Sequence, residues 1–251
     1  MIDAYQHGDK AASPLCTSQT ECNFLAYEKI PIPLGIFPGG SGNDFVMTLE
    51  GGKYAAKIKQ RNFTTDIFVD CICRRNLRTI DVITANGTAF LNIGNIGIDA
   101  RIVKNAAALK QKYGGQAYLA AVYKSIMKHK NIPVKVEFNN ETVEKEFTLI
   151  AVCNGQYYGG GLRISPSAKF DDGKITLCMI DRVSRPKLGI LFPSLLFEKH
   201  VHLNVVNYFD CTELRITLPP GIETLCLDGN LFPIEGEIHF KVLPKVLDLF
   251  V

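Results

Sequence analysis

Several features that mark common protein classes are missing from this chain. It has no run that approaches the roughly 20 apolar residues that a helix needs to cross a bilayer. Residues 1–25 mix charged side chains such as Asp3, Asp9 and Lys10 with polar ones, which is not the pattern of a secretory signal peptide. These absences predict a soluble, cytoplasmic protein.

Strong charge and metal-binding cysteine spacing are also missing. The net charge is only +3 in 251 residues, which predicts no nucleic-acid partner. The eight cysteines include no C-x-x-C pair, so the usual zinc spacing is absent. Cys153, Cys178 and Cys226 lie in apolar runs, where reduced core thiols are expected. His200 and His202 alternate as two residues on one strand face would, without a carboxylate constellation nearby.

The most informative segment present is a glycine-rich loop after a short apolar run. Leu34–Phe37 is apolar, Pro38 ends it, and glycines, one hydroxyl, one amide and one carboxylate follow. Glycine permits positive φ and close approach of a ligand to the backbone, and successive exposed N–H groups bind anions. The segment predicts a phosphate-binding loop, although Gly-Gly-Ser-Gly is also linker composition. The predicted phosphate-binding residues are Gly40, Ser41, Gly42, Asn43 and Asp44.

The loop completes none of three well-known signatures. Walker A requires Lys after its last glycine, but Asn43 follows Gly42. The dinucleotide fingerprint requires a third glycine, where Phe45 stands, and the nucleophile elbow requires glycine where Asn43 stands. Ser41 is therefore predicted to be a hydrogen-bonding ligand and not a nucleophile.

The organisation of the chain predicts an α+β fold. Residues 1–30 are polar and aperiodic, which is typical of a poorly ordered segment. Residues 31–74 read as part of an α/β unit, and residues 75–251 as a β-sandwich with inserted helices. Hairpins are expected around Asn86-Gly87 and Asn139-Asn140. The expected helices are 64–74, 100–110, 116–128 and 187–199, the last doubtful or kinked because of Pro193.

Four segments in chain order carry a resemblance to a known family. They are PLGIFPGGSGNDF (33–45), FLNIGNIGIDARIV (90–103), VCNGQYYGGGLRISPSAKFDDGKITLCMI (152–180) and LCLDGN (225–230). A single glycine motif is weak support, but four in order over roughly residues 31–250 are a specific signal. On these segments the chain resembles the soluble diacylglycerol kinase family, which includes bacterial lipid kinases, sphingosine kinases and ceramide kinases.

The resemblance implies a nucleotide-binding α/β domain followed by a β-sandwich, with the active site between them. It implies phosphorylation of a lipid hydroxyl at a membrane surface, most simply diacylglycerol to phosphatidic acid, with ATP and Mg²⁺ as cofactors. Ser41 would lie against the nucleotide phosphates, and Asp44 would join the Mg²⁺–water network, unless Asp44 simply caps a helix. A structural Mg²⁺ would be held by the Asp172 carboxylate and the carbonyls of Lys169 and Lys174, although Asp171-Asp172-Gly173 is also ordinary turn chemistry.

Two departures from the family pattern predict an incomplete catalytic apparatus. The family's G-G-D-G-T motif is not found before Pro31, so most of the nucleotide-binding domain is expected to be missing. Asn230 stands in place of the glutamate that the family uses as a base, while Asp228 is retained. Whether the chain is an enzyme is therefore left open. The alternatives are a non-catalytic module that binds a lipid or a partner, and a truncated gene model of an active kinase.

The stretch 187–198 holds an apolar run between charges. It is too short to span a bilayer, so it is expected either in the core or at a membrane interface. The oligomeric state cannot be predicted from the sequence.

Overall fold

The computed structural model describes residues 15–16, 33–37, 43–49, 65–97, 131–159, 161–221 and 224–251. Nearly all of the segment predicted to be poorly ordered, and the helices predicted at 100–110 and 116–128, lie outside these residues. The described helices are α1 (Asp44–Leu49), α2 (Thr65–Cys73) and α3 (Arg185–Leu196), with a 3-10 turn at Lys199–His202.

Strands make up most of the described chain. They are β1 (Leu15–Cys16), β2 (Gly35–Ile36), β3 (Leu77–Ala85), β4 (Thr88–Phe90), β5 (Ile93–Gly97), β6 (Ile132–Phe138), β7 (Glu141–Cys153), β8 (Tyr157–Tyr158), β9 (Leu162–Arg163), β10 (Ile175–Asp181), β11 (Val206–Cys211), β12 (Glu213–Thr217), β13 (Thr224–Leu227), β14 (Asn230–Pro233) and β15 (Glu237–Phe250).

One eleven-stranded antiparallel sheet dominates the molecule, in the order β14-β13-β5-β7-β6-β12-β15-β3-β4, with β10 paired to β7 and β11 to β10. The sheet curls on itself. A Cβ placed on Gly94 in β5 would lie 3.1 Å from Phe90 in β4 and 3.4 Å from Phe240 in β15. These strands are far apart in the sheet order, so the two ends of the sheet enclose one apolar core. The predicted α+β class is confirmed.

Both predicted hairpins are confirmed, because their turn residues adopt the left-handed backbone that primed turns require. Asn86 and Gly87 have φ of +46° and +85° between β3 and β4. Asn139 and Asn140 have φ of +49° and +62° between β6 and β7.

The region around the histidines differs from the prediction. The helix predicted at 187–199 is present as α3, and it continues through Pro193. The interpretation of His200 and His202 as strand residues is wrong, since both lie in the 3-10 turn. His200 is buried and His202 is exposed. Residues two apart share one face of a strand, but they point in different directions from a 3-10 turn, which has three residues per turn.

The segment before α1 joins the sheet through β15. The Leu34 N–H donates to the Asp248 carbonyl and the Phe250 N–H to the Leu34 carbonyl, both at 2.9 Å. Leu34 and Phe45 then share a buried cluster with Ile80 in β3 and with residues of β15. The first motif is thereby brought against the sandwich that carries the other three.

Candidate functional site

The start of α1 places Asp44 against the third motif. Asn43, with φ of +54°, precedes the helix, and its carbonyl accepts the Met47 N–H at 3.0 Å. The carboxylate of Asp44 accepts the N–H of Gly161 at 2.6 Å. The Thr48 hydroxyl, one turn later, accepts the Gln156 N–H at 2.9 Å. Gly40, Ser41 and Gly42 lie outside the described residues.

Strands β8 and β9 pair in antiparallel fashion, Tyr157 with Arg163 and Tyr158 with Leu162, and form a glycine-rich hairpin. Arg163 fixes its base, since its guanidinium donates to Gln156 at 3.0 Å and to Glu198 at 3.1 Å. The same guanidinium lies 5.7 Å from the centre of the Tyr157 ring, within cation–π range. The hairpin tip can therefore hold the Gly161 N–H in a fixed position toward Asp44.

Asn92 joins the second motif to the third. Its side-chain amide donates to the Tyr157 carbonyl at 2.8 Å. The backbone carbonyl of Asn92 accepts the N–H groups of Asn154 at 2.9 Å and Gly155 at 3.0 Å. A Cβ on Gly155 would lie 2.0 Å from the Asn92 side-chain oxygen, so only glycine fits at that position.

Asp228 joins the fourth motif to the second. Its carboxylate accepts the N–H groups of Leu91 at 2.7 Å and of Asn92 and Ile93 at 2.9 Å each. Asp228 and Gly229 have φ of +49° and +85° and form the tight turn between β13 and β14. The carboxylate thus fixes this turn. The exposed Asn230 follows the turn directly and is the first residue of β14.

These hydrogen bonds place the four motifs in one continuous site. Asp44 contacts the third motif, Asn92 connects the third to the second, and Asp228 connects the second to the fourth. The segments are far apart in sequence, and the contacts between them are made largely through backbone N–H and carbonyl groups. Because every residue type has these backbone groups, the sequence alone does not show which motif contacts which.

The predicted cation loop lies beside this site, between Phe170 and β10. Asp172 is exposed, and one of its carboxylate oxygens accepts the Lys174 N–H at 3.1 Å. Although the residue as a whole is exposed, partial desolvation of the carboxylate raises the pKa of Asp172, the nearby Asp210 and Asp81 carboxylates raise it further, and the N–H and the charge of Lys174 oppose the shift. A cation would relieve this concentration of negative charge.

The donor set suits a hard cation. A carboxylate and two backbone carbonyls are oxygen ligands of the kind that Mg²⁺ prefers, and Mg²⁺ usually keeps several waters. Within the described residues, no three His, Cys, Asp or Glu side chains are grouped to hold a metal ion. Mg²⁺ bound here would therefore depend on the carbonyls of Lys169 and Lys174 as well as on Asp172. These ligands remain a prediction.

Besides Asn92, the buried polar residues Asp81 and Asn154 of this region are missing from the sequence-based set. Asp81 is fully buried in β3, and Asn154 is fully buried after β7. The Asn154 side-chain amide donates to the Asp81 carbonyl at 2.9 Å and to the Leu91 carbonyl at 2.8 Å. Asp81 could have been recognised from the sequence, since it lies between the apolar residues Ile80 and Val82. A charge inside an apolar strand needs dedicated hydrogen-bond partners.

Cys153, Cys178 and Cys226 are buried, as expected for core thiols, and so is Cys211, while Cys73 is exposed. None of these five cysteines forms a disulfide. Burial raises the pKa of Cys178 to about 12, so this thiol stays protonated at neutral pH and is not a nucleophile.

Two family models match the chain. The "Diacylglycerol kinase catalytic domain" matches residues 17–85, and the "YegS C-terminal NAD kinase beta sandwich-like domain" matches residues 93–251. The second match alone covers more than half of the chain.

Curated relatives and solved structures agree with these models. A diacylglycerol kinase of Mycobacterium tuberculosis is 28% identical over 224 residues, which are 87% of this chain and 69% of that protein. A Staphylococcus carnosus protein whose name places it among lipid kinases is 30% identical over 220 residues, covering 87% of this chain and 66% of its own. The crystal structure of a diacylglycerol kinase from Bacillus anthracis matches with a TM-score of 0.61 at 23% identity, over 87% of this chain and 68% of that one, which supports the fold.

Among the residues that the structure describes, no helix is both long and apolar enough to cross a membrane.

Proposed function

Because the chain belongs to the diacylglycerol kinase family of lipid kinases, we propose that it transfers the terminal phosphoryl group of ATP to a lipid hydroxyl. Diacylglycerol is the simplest acceptor, and phosphatidic acid the product. The observation that carries the proposal is the hydrogen-bonded site that unites the four motifs through Asp44, Asn92 and Asp228. Phosphoryl transfer depends mainly on such positioning and on electrostatic stabilisation.

Each part of the site has a proposed role. The segment Gly40–Asp44 binds the nucleotide phosphates, with Asp44 also fixed to the glycine-rich hairpin. Lys169, Asp172 and Lys174 hold Mg²⁺, which when bound supplies positive charge beside the site. Asp228 positions the turn that presents residue 230 to the acceptor hydroxyl.

Position 230 limits the rate. A general base must take a proton from the attacking hydroxyl near neutral pH, and the side-chain amide of Asn230 cannot accept one. The carboxylate of Asp228 is occupied by three backbone N–H donors, so it serves as a positioning group. We therefore expect slow transfer.

The test replaces Asn230 with glutamate. A base contributes about 10²–10⁴-fold, so Asn230→Glu should raise phosphatidic acid formation by roughly that factor. The measurement is transfer of labelled phosphate from Mg-ATP to diacylglycerol in mixed micelles. Asn204→Glu is the matched control, because it adds the same charge at another exposed position. Measurable and equal rates in the unsubstituted chain and in Asn230→Glu would exclude residue 230 as the base position.

A second candidate is a non-catalytic lipid-binding module. The neutral side chain at position 230 favours it, because a protein that only binds lipid needs no base. This candidate predicts diacylglycerol binding with no phosphate transfer in either the unsubstituted chain or Asn230→Glu. The same assay, combined with lipid-binding measurements, separates the two functions.

A further inference from the structure

Arg78 lies in β3, and its guanidinium connects two segments that are far apart in the sequence. One terminal nitrogen donates to the Leu49 carbonyl at 2.8 Å. Nε and the other terminal nitrogen donate to one carboxylate oxygen of Asp171, at 3.1 and 3.0 Å. The guanidinium is planar and presents its donors in a fixed geometry, so this single side chain holds both partners at once.

The Leu49 carbonyl belongs to the last residue of α1. This helix has only six residues, and residues 45–49 are buried. A helix this short is not stable in isolation, so its position depends on contacts with the rest of the chain. The last carbonyls of a helix have no partner within it and form the negative end of its dipole. Arg78 supplies a donor and a positive charge at that end.

The remainder of α1 is attached to the third motif. The Asp44 carboxylate accepts the Gly161 N–H at 2.6 Å, and the Thr48 hydroxyl accepts the Gln156 N–H at 2.9 Å. Arg78 holds the end of the helix opposite to Asp44. Contacts at both ends restrict the tilt of a short helix, and the tilt of α1 sets the direction in which the Asp44 carboxylate faces the glycine-rich hairpin.

Asp171 and Asp172 are adjacent carboxylates with different partners. Asp172 accepts the Lys174 N–H within its own turn at 3.1 Å. Asp171 instead binds Arg78 in β3, with side-chain exposures of 38% and 33%. The sequence treats these two residues alike, as turn chemistry, whereas the structure separates them. Asp171 fixes the guanidinium that reaches α1.

We propose that Arg78 and Asp171 form a clamp between α1 and the sandwich. In this clamp Arg78 is a positioning residue for Asp44, and Asp171 serves Arg78 instead of a cation. The inference rests on the proposed function, in which Asp44 belongs to the segment that binds the nucleotide phosphates. Arg78 acts through α1 and contacts neither the nucleotide nor the lipid.

The test is Arg78→Lys. Lysine keeps the positive charge, but its ammonium is a single point and cannot reproduce the planar fork that holds Leu49 and Asp171 together. Loss of one such hydrogen bond should make the N–H groups of Met47 and Gly161 exchange about five- to tenfold faster. Exchange is measured by NMR on the full chain without ligands, and the β10 amides, which should be unchanged, show that the sandwich stays folded.

Arg182→Lys is the matched control. Arg182 follows β10, and its guanidinium binds the Glu146 carboxylate at 3.0 Å. The substitution therefore makes the same chemical change in another arginine–carboxylate pair. Exchange at Met47 and Gly161 should remain that of the unsubstituted chain. Equal acceleration in the two arginine variants, or none in Arg78→Lys, would overturn the proposal.

Asp171→Ala tests the other half of the clamp. Two residues that act as one unit have non-additive effects, so adding Asp171→Ala to Arg78→Lys should change exchange at Gly161 by less than about twofold. Effects that multiply in the double variant would mean that the two residues act separately, which contradicts a clamp.

A spectroscopic measurement tests the clamp without a change at Arg78. The Arg78 Nε–H should give a slowly exchanging signal in the unsubstituted chain, and Asp171→Ala should remove it. Absence of that signal in the unsubstituted chain, or its persistence in Asp171→Ala, would contradict the proposal. Failure of the proposed function would appear separately, as absence of Mg-ATP binding in calorimetry, while the exchange measurements decide the role of Arg78 in either case.

Discussion

At the scale of single residues, His200 is a titratable group in a buried position. One ring nitrogen lies 3.1 Å from the Ile164 carbonyl, and the other, Nδ1, is buried with no partner in good hydrogen-bond geometry. Burial lowers the pKa of His200, and the Ile164 and Ser194 backbone groups and the Glu198 carboxylate only partly oppose this shift. The native protein therefore favours the neutral ring.

This shift predicts a loss of stability in mild acid. The unfolded histidine titrates near its ordinary pKa of 6.5, while the folded one titrates lower, so the unfolded state binds more protons between the two values. Stability should fall as the pH decreases below about 6.5, by at most about 1.4 kcal/mol per pH unit from this group. His200→Gln keeps a side-chain N–H for Ile164 and removes the titration, so urea unfolding between pH 7.5 and about 5 should show a flatter pH dependence.

The matched control is His202→Gln, because His202 lies in the same 3-10 turn but is exposed. This variant should keep the pH dependence of the unsubstituted chain. A pH dependence that is unchanged in His200→Gln would show that another group is responsible.

At the scale of elements, the turn between β13 and β14 depends on a contact outside the hairpin. The left-handed conformations of Asp228 and Gly229 close the turn, and the Asp228 carboxylate attaches it to residues 91–93, at the junction of β4 and β5. The hairpin is therefore positioned by residues 91–93 as well as by the hydrogen bonds between β13 and β14.

Removal of this carboxylate should be costly. Asp228→Asn retains a residue type that tolerates positive φ, but its NH₂ group must face one of the backbone N–H donors at residues 91–93, which are all buried. A buried donor that loses its acceptor costs about 1–3 kcal/mol, and we expect a loss of that size in the free energy of unfolding. Glu235→Gln, a charge removal at an exposed position, should change stability little. A loss below about 0.5 kcal/mol in Asp228→Asn would contradict this role.

At the scale of the whole molecule, an exposed aromatic side chain lies close to the candidate site. Phe197 follows α3 and is 72% exposed, and the exposed Lys199 is near it in sequence. The carboxylate of Glu198, between them, is held at 3.1 Å by Arg163 of the glycine-rich hairpin. An exposed apolar side chain close in sequence to an exposed cation suits contact with an anionic bilayer.

We therefore expect reversible peripheral membrane binding in which Phe197 takes part. Burial of a phenylalanine contributes about 1.5–3 kcal/mol, so Phe197→Ser should weaken binding to vesicles that contain phosphatidylglycerol about tenfold or more. The measurement is liposome co-flotation across a range of lipid concentrations. Leu77→Ser is the control, since Leu77 is 50% exposed but lies at the start of β3. Equal binding of the unsubstituted chain and Phe197→Ser would exclude Phe197 as a contact.

The sequence by itself determined the features that depend on local chemistry. Asn86-Gly87 and Asn139-Asn140 predicted two hairpins because few residue types tolerate positive φ. The apolar runs around Cys153, Cys178 and Cys226 predicted buried thiols. The four glycine-rich segments predicted the family and the residue types at its site, and with them the absence of a carboxylate at position 230.

Only the tertiary structure decided which of these segments meet and through which atoms. That Asp44 binds the Gly161 N–H, that Asp228 binds residues 91–93, and that Asp81 binds Gly173 and Lys245 depends on how segments far apart in the sequence pack together. The same is true of His200, whose burial depends on the packing around a 3-10 turn that alternation along the sequence cannot distinguish from a strand. The physical reason is that backbone N–H and carbonyl groups are present at nearly every residue. Contacts made through them leave no mark on the sequence, and the distances that bring them together are set by the packing of the whole sheet.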